Sequence, residues 1–86
     1  MNEVSNLVRC IVSSIVDDVD KIKITEAKEE DGSVLFEVIV SKNDVGKLIG
    51  KDGRIAIAIR TIVKASGAKH GVKALFNVLD KPLEEE

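Results

Sequence analysis

The chain has 86 residues, 44% of them hydrophobic and 33% charged, with a formal net charge of −2 at pH 7. That length confines it to one domain, and that composition makes the domain a folded one. One cysteine and one histidine exclude an internal disulfide and argue against a structural zinc site. The start lacks the basic region of a secretory leader, and no apolar run approaches the roughly 20 residues of a membrane span. The expectation is a cytoplasmic protein with no membrane span and no cofactor.

From Asn2 to Val16 the residues Val4, Leu7, Val8, Ile11, Val12, Ile15 and Val16 recur at helical spacing, which predicts an amphipathic helix. Asn2 or Ser5 would cap its start. Asp17 and Asp18 stand where the helix macrodipole disfavours acids, so they mark its end. Asp20 to Lys28 alternates through Ile22 and Ile24, the pattern of a strand with one buried face. Glu29-Glu30-Asp31-Gly32-Ser33 contains Asp-Gly, a hairpin signal. Val34 to Val40 follows as a central strand, with Phe36, Val38 and Val40 on one face and Leu35, Glu37 and Ile39 on the other. Two helical segments come next, at about 44–49, capped by Asn43 or Asp44, and at 54–66. The segment 66–71 reads as a loop, with Gly67 as the residue just past the helix. Val72 to Leu79 alternates as a third strand that Pro82 ends. Residues 82–86 form an acidic tail, leaving a single domain over 1–81. The order α-β-β-α-α-β, with a two-helix crossover between the second and third strands, implies that those two run parallel. The fold expected is α+β, a three-stranded mixed sheet with three helices on one face.

The most informative stretch is Val45 to Ile59, V-G-K-L-I-G-K-D-G-R-I-A-I-A-I. Gly50-Lys51-Asp52-Gly53 interrupts two helical segments. Two glycines spaced i, i+3 permit a turn too tight for Cβ atoms and let another backbone approach. Lys51 sits at the tip, and Arg54 opens a helix whose first N–H groups attract anions. Such an assembly suits gripping a sugar-phosphate backbone. Charge distribution agrees. Residues 42–64 hold six cations (Lys42, Lys47, Lys51, Arg54, Arg60, Lys64) against Asp44 and Asp52, a local +4 that leaves −6 elsewhere. A basic patch on an acidic body binds phosphates locally while repulsion limits non-specific contact.

The element order, with this GXXG loop between the fourth and fifth elements, resembles a type II KH domain. The run D-V-G-K-L-I-G-K-D-G-R-I-A-I-A-I-R-T-I-V in so short a chain resembles the small bacterial KhpA-type RNA-binding proteins. The family pattern I-G-x-x-G-x-x-I-x-x-I matches at Ile49, Gly50, Gly53 and Ile59. It departs at Ala56, where a larger aliphatic residue is usual and where Ile55 or Ile57 would fill the volume. The resemblance implies that Gly50, Lys51, Asp52 and Gly53 clamp single-stranded RNA through their backbone. It makes Arg54 and Lys47 flanking phosphate contacts and Ile49 and Val45 the apolar floor for bases. The 66–71 segment would lie opposite, with Lys69 or His70 touching RNA. It further implies an RNA chaperone or post-transcriptional regulator, a second KH-containing partner, and a link to cell-wall growth and cell shape. Without Trp or Tyr, and with Phe36 and Phe76 both on core strands, the chain lacks the stacking platform of other RNA-binding folds. Binding should therefore be on the order of micromolar, resting largely on phosphate contacts.

On a helical wheel, the apolar and small residues of 54–66 fill an arc of roughly 180°, wider than one core contact needs. The resemblance to the family pattern assigns Ala56, Ile59 and Val63 to the sheet. Ala58, Ile62 and Ala65, bordered by Ile55, remain as a stripe expected to form a dimer interface, with a second copy or with another KH-domain protein. Against that stands a monomer with a deeply buried helix. The same stripe suits a different functional class, a protein-interaction adaptor whose loop does not bind RNA. A phosphate loop of the nucleotide-hydrolysing kind is excluded, because only three residues separate Gly46 from Gly50 and Asp52 follows Lys51. Cys10 has no partner base nearby in sequence, so no enzyme is expected.

Overall fold

The computed structural model describes residues 2–79; the acidic tail expected at 82–86 lies outside the described residues. The first helix, α1, spans Asn2–Ile15. Val4, Val8 and Val12 repeat every four residues along it, and all three are fully buried. Its last bond runs from the Val16 N–H to the Val12 carbonyl at 3.1 Å, and the chain leaves the helix at the two acids that follow. The strand expected from Asp20 starts later. Val19–Lys21 is a 3-10 turn, closed by Ile22 N–H on the Val19 carbonyl at 3.3 Å. Asp18 and Asp20 favour turns, and the turn drives Ile22 into the core.

Strand β1 is Lys23–Lys28, and it lacks the buried face its alternation implied: only Ile24 is half-buried. The reason is composition along that face: Ile22, just before the strand, is buried and Ile24 packs against the core, but the same face continues as the exposed Glu26 and Lys28. The hairpin to β2 forms where expected. Gly32 N–H bonds the Glu29 carbonyl at 3.0 Å, Glu29 N–H bonds the Ser33 carbonyl at 2.8 Å, and Gly32 takes φ +92°. This is the three-residue loop that ends in a left-handed glycine. Asp31 accepts both the backbone N–H and the hydroxyl of Ser33, at 2.9 and 2.7 Å.

Strand β2, Val34–Ile39, is central. It pairs antiparallel with β1 and parallel with β3, Ala74–Val78, so that Phe36 faces Phe76 across the parallel pair. Parallel neighbours need a crossover. Here it consists of a 3-10 turn (Lys42–Asp44), helix α2 (Val45–Ile49), a second 3-10 turn (Lys51–Gly53) and helix α3 (Arg54–Lys69). The core joins Val4, Val8 and Val12 of α1, Leu48 of α2, Ile59 and Val63 of α3, and Phe36, Val38, Ala74 and Phe76 of the sheet. The α+β fold read from the sequence is the one observed.

The end of α3 departs from expectation. Residues 66–69 are helical, not loop. The left-handed residue just past the helix is Gly71 (φ +76°), not Gly67. Val72 N–H bonds the Gly67 carbonyl at 2.8 Å and Gly71 N–H bonds the Ala68 carbonyl at 3.1 Å, the paired bonds of a Schellman close. Gly67 has another task. A Cβ there would stand 2.6 Å from the Ala74 Cβ and 2.7 Å from the Val72 carbonyl oxygen, so its bare Cα lets β3 begin against the helix.

Candidate nucleic-acid interface

Helix α2 is five residues long, too short to stand alone in water. Two anchors hold it. Leu48 is fully buried in the core, and Asp44, immediately before α2, is only 1% exposed. The sequence reading offered Asp44 as a cap for its own helix, but its side chain makes no such bond. It reaches back to the end of α1 instead. Oδ1 accepts the Asp17 N–H at 3.2 Å, Oδ2 accepts the Asp18 N–H at 3.0 Å, and Oδ2 also accepts the Ser41 hydroxyl at 3.0 Å. The Lys47 ammonium adds a fourth contact, 3.4 Å from Oδ1. The Asp18 N–H above all, with the Asp17 N–H, the Ser41 hydroxyl and the Lys47 ammonium, holds the Asp44 carboxyl below the usual carboxylate range against the opposing effect of burial. One carboxylate thus ties the chain after α1 to the start of α2. The signal available in the sequence was the Ser41-x-x-Asp44 spacing ahead of an apolar run.

The Gly50–Gly53 crease follows directly. Gly50 N–H bonds the Gly46 carbonyl at 2.8 Å, and Gly53 N–H bonds the Gly50 carbonyl at 3.1 Å. Gly50 takes φ +75° and ψ +175°, a region open essentially to glycine alone. A Cβ on it would also meet the Ile55 side chain, 2.6 Å from Cγ1 and 2.9 Å from Cβ. Asp52 (φ +58°) and Gly53 (φ +75°) are both left-handed, and Asp is one of the few side chains that tolerates this. Gly53 has open space around its missing Cβ. The two glycines therefore answer different demands, Gly50 both dihedral and steric, Gly53 dihedral only.

Lys51, Asp52 and Arg54 are exposed at the crease, while Gly50 and Gly53 are partly covered. No side chain caps the start of α3. Val45 and Ile49 are half-buried beside the fully buried Leu48, so α2 shows a partly apolar surface next to the loop. Lys51 and Arg54 have no ion-pair partner among the described residues. Lys47 does: its ammonium lies 3.2 Å from Asp17 Oδ2 and 3.4 Å from Asp44 Oδ1. These partners, Asp17 first, raise its pKa above the usual lysine value. Of the three cations assigned to phosphate, two are free and one is engaged within the protein.

Other assignments shift. Ile55 and Ile57 are 38% and 55% exposed, so neither takes a buried place beside the half-buried Ala56, and the Ile55 side chain lies against Gly50 instead. Ala58, Ile62 and Ala65 are exposed as well, with Ile62 at 48%, so the surplus stripe is on the surface and the alternative of a deeply buried α3 does not hold. His70 lies in the close of the helix, its Nδ1 2.9 Å from the Ser66 carbonyl oxygen, and Lys69 is on the last helical turn. The loop expected to carry these two residues is absent from that place because the helix runs on. Arg60 is directed to β3, where its Nε donates to the Phe76 carbonyl at 3.3 Å. No helix among the described residues is long and apolar enough to cross a membrane.

Residues 5–78 match a family model described as KhpA/KhpB, KH domain. Among curated relatives, a protein of Clostridium perfringens named RNA-binding protein KhpA is 42% identical over 73 residues, 85% of this chain and 96% of the relative. A protein of the same name from Borreliella burgdorferi is 43% identical over 79 residues, covering 92% of this chain and 94% of the relative. Another, from Aquifex aeolicus, is 38% identical over 80 residues, covering 93% and 100%. No solved structure matches the chain significantly.

Proposed function

Since the chain belongs to the KhpA/KhpB family of KH domains, we propose that it binds single-stranded RNA without catalysis, gripping the backbone at the Gly50–Gly53 crease. The observation that carries this reading is the crease itself. Positive φ at Gly50, Asp52 and Gly53, flanking Lys51, brings α2 and the uncapped start of α3 together, with Lys51 and Arg54 exposed and unpaired among the described residues. In this reading Gly50, Lys51, Asp52 and Gly53 clamp one or two phosphates, Arg54 supplies a flanking charge, and Val45 and Ile49 floor the bases. Lys47 contributes once its internal partners yield. The relatives' name, RNA-binding protein KhpA, supports the ligand class. The chain is not an enzyme; its family is one of RNA-binding proteins.

The family resemblance supports a cytoplasmic RNA chaperone or post-transcriptional regulator, linked to cell-wall growth and cell shape. A second surface fits a protein partner. The exposed Ile55, Ala58, Ile62 and Ala65 stripe on α3 suits a dimer, with another copy of the chain or with a second KH-domain protein. An adaptor that binds only protein would have no use for free cations at a glycine crease. The test is a nuclear magnetic resonance titration of the whole chain with short random oligoribonucleotides. Residues 47–54 should shift in a salt-dependent manner, and Lys51→Asp should abolish the shift. Signals there that stay still at millimolar RNA refute the RNA reading and favour the adaptor.

A further inference from the structure

Two acids, Asp17 and Asp18, follow the end of helix α1, at the pole of the macrodipole that repels them. The backbone N–H groups of both are used by Asp44. The Asp17 side chain is 82% exposed, and what it meets is Lys47, with 3.2 Å between Oδ2 and Nζ. Lys47 therefore sits between two carboxylates of unlike character. Asp44 is buried and accepts three further hydrogen bonds, so its place in the fold does not depend on the lysine. Asp17 is on the surface and offers Lys47 what a phosphate would offer, an anionic oxygen at contact distance. Lys47 precedes Gly50 by three residues, about 4.5 Å along the helix axis, so it stands at the edge of the crease.

Resting on the reading of that crease as an RNA clamp, we infer that Asp17 is an internal competitor for the ligand's phosphate. In the free protein its carboxylate occupies Lys47, and a bound phosphate displaces it. Exposed ion pairs are weak, so displacement is readily reversible and the effect is modest. The exchange has a signature. Replacing one anion by another at Lys47 changes the number of paired charges little, so that contact adds little to the salt dependence of binding. Lys51 and Arg54, unpaired beforehand, add their full share.

The experiment compares the full-length chain with Asp17→Asn, Asp20→Asn, Lys47→Gln and the Asp17→Asn/Lys47→Gln double variant, each titrated with a labelled oligouridylate over a range of salt. The amide of Asp17 still bonds Asp44 in the asparagine variant, and melting curves verify that all variants fold. Asp17→Asn should bind about two- to five-fold tighter at low salt. Its slope of log K against log salt should steepen by up to about 0.7. The gain should vanish in the Lys47→Gln background. Asp20→Asn removes the same charge from the same segment without facing Lys47, and should do distinctly less. Equal gains from Asp17→Asn and Asp20→Asn would reduce the effect to net charge and overturn the inference. So would an Asp17→Asn variant no tighter than the parent, which would make the pair a mere tie between α1 and α2. A parent chain that binds no oligouridylate overturns the RNA reading itself, and this inference with it; binding by the parent with a silent Asp17→Asn overturns the inference alone.

Discussion

Replacing each crease glycine by alanine separates conformational from steric demand. At Gly50 the backbone is in a region that costs a side-chain-bearing residue about 1–3 kcal/mol. The new Cβ would also sit 2.6–2.9 Å from three atoms of Ile55. The Ile55 Cβ is among them and cannot be moved by a rotamer change, so overpacking adds about 1–3 kcal/mol. Stiffening of the unfolded chain returns about 0.4–1 kcal/mol. The net loss for Gly50→Ala is roughly 1–5.5 kcal/mol, about 3 kcal/mol at the middle of the ranges. At Gly53 the left-handed penalty of about 1–2 kcal/mol stands alone, because nothing lies within 4 Å of the added atom. The same unfolded-state term leaves a net loss of roughly 0–1.6 kcal/mol there. Each kcal/mol moves the melting temperature of a domain this size by about 4–8 °C. Gly50→Ala should therefore melt on the order of 10–25 °C below the parent, and Gly53→Ala only about a few degrees below it. Thermal melts followed by circular dichroism read both. Equal losses, or a Gly50→Ala variant as stable as the parent, would refute the claim that Gly50 is held by the Ile55 contact as well as by its dihedral angles.

Gly67→Ala should destabilise by about 1–3 kcal/mol although alanine is the better helix former, because two of the atoms it would crowd belong to the β3 approach backbone; a raised melting temperature would show that α3 and β3 have room to part. Asp44→Asn should lower the melting temperature at neutral pH more than Asp31→Asn does, since the first carboxylate is buried under four donors and the second is exposed with two from Ser33. The Asp44 pKa is lower folded than unfolded, so its contribution is present above the ordinary aspartate range, near pH 4, and fades as pH falls through the folded value. Urea midpoints across pH 2–7 should show an acid limb that is shallower in Asp44→Asn; an unchanged limb would remove Asp44 from the acid response. Ile62→Glu places a charge in the exposed α3 stripe, and sedimentation of the folded variant should give a monomer where the parent is a dimer; the same mass for both would end the dimer reading.

Much of this protein is legible in its residues because each signal is local. The four-residue repeat of Val4, Val8 and Val12 needs only helical geometry. The Asp31-Gly32 hairpin needs only a left-handed glycine, and the parallel β2–β3 pair follows from a crossover too long for a hairpin. The crease is legible for the same reason: a glycine pair between two apolar helical stretches supplies the dihedral freedom of a tight turn. Signals failed where a residue answers to a distant one. Gly67 reads as a helix stop until β3 is seen against it. Ile22 and Ile24 looked like the start of a buried face, but only they reach the core, and Glu26 and Lys28 carry that face into solvent.

The amino-acid order alone thus settled the element sequence, the α+β fold and the position of the glycine crease, since these depend on periodicity and dihedral freedom within a few residues. Tertiary structure decided which charges at the crease are available. Asp17 and Lys47 are thirty positions apart, and Asp44 binds amides more than twenty-five residues before it. Such pairings exist only once the helices have packed, because a carboxylate selects its donors by distance and burial, neither of which a linear chain expresses.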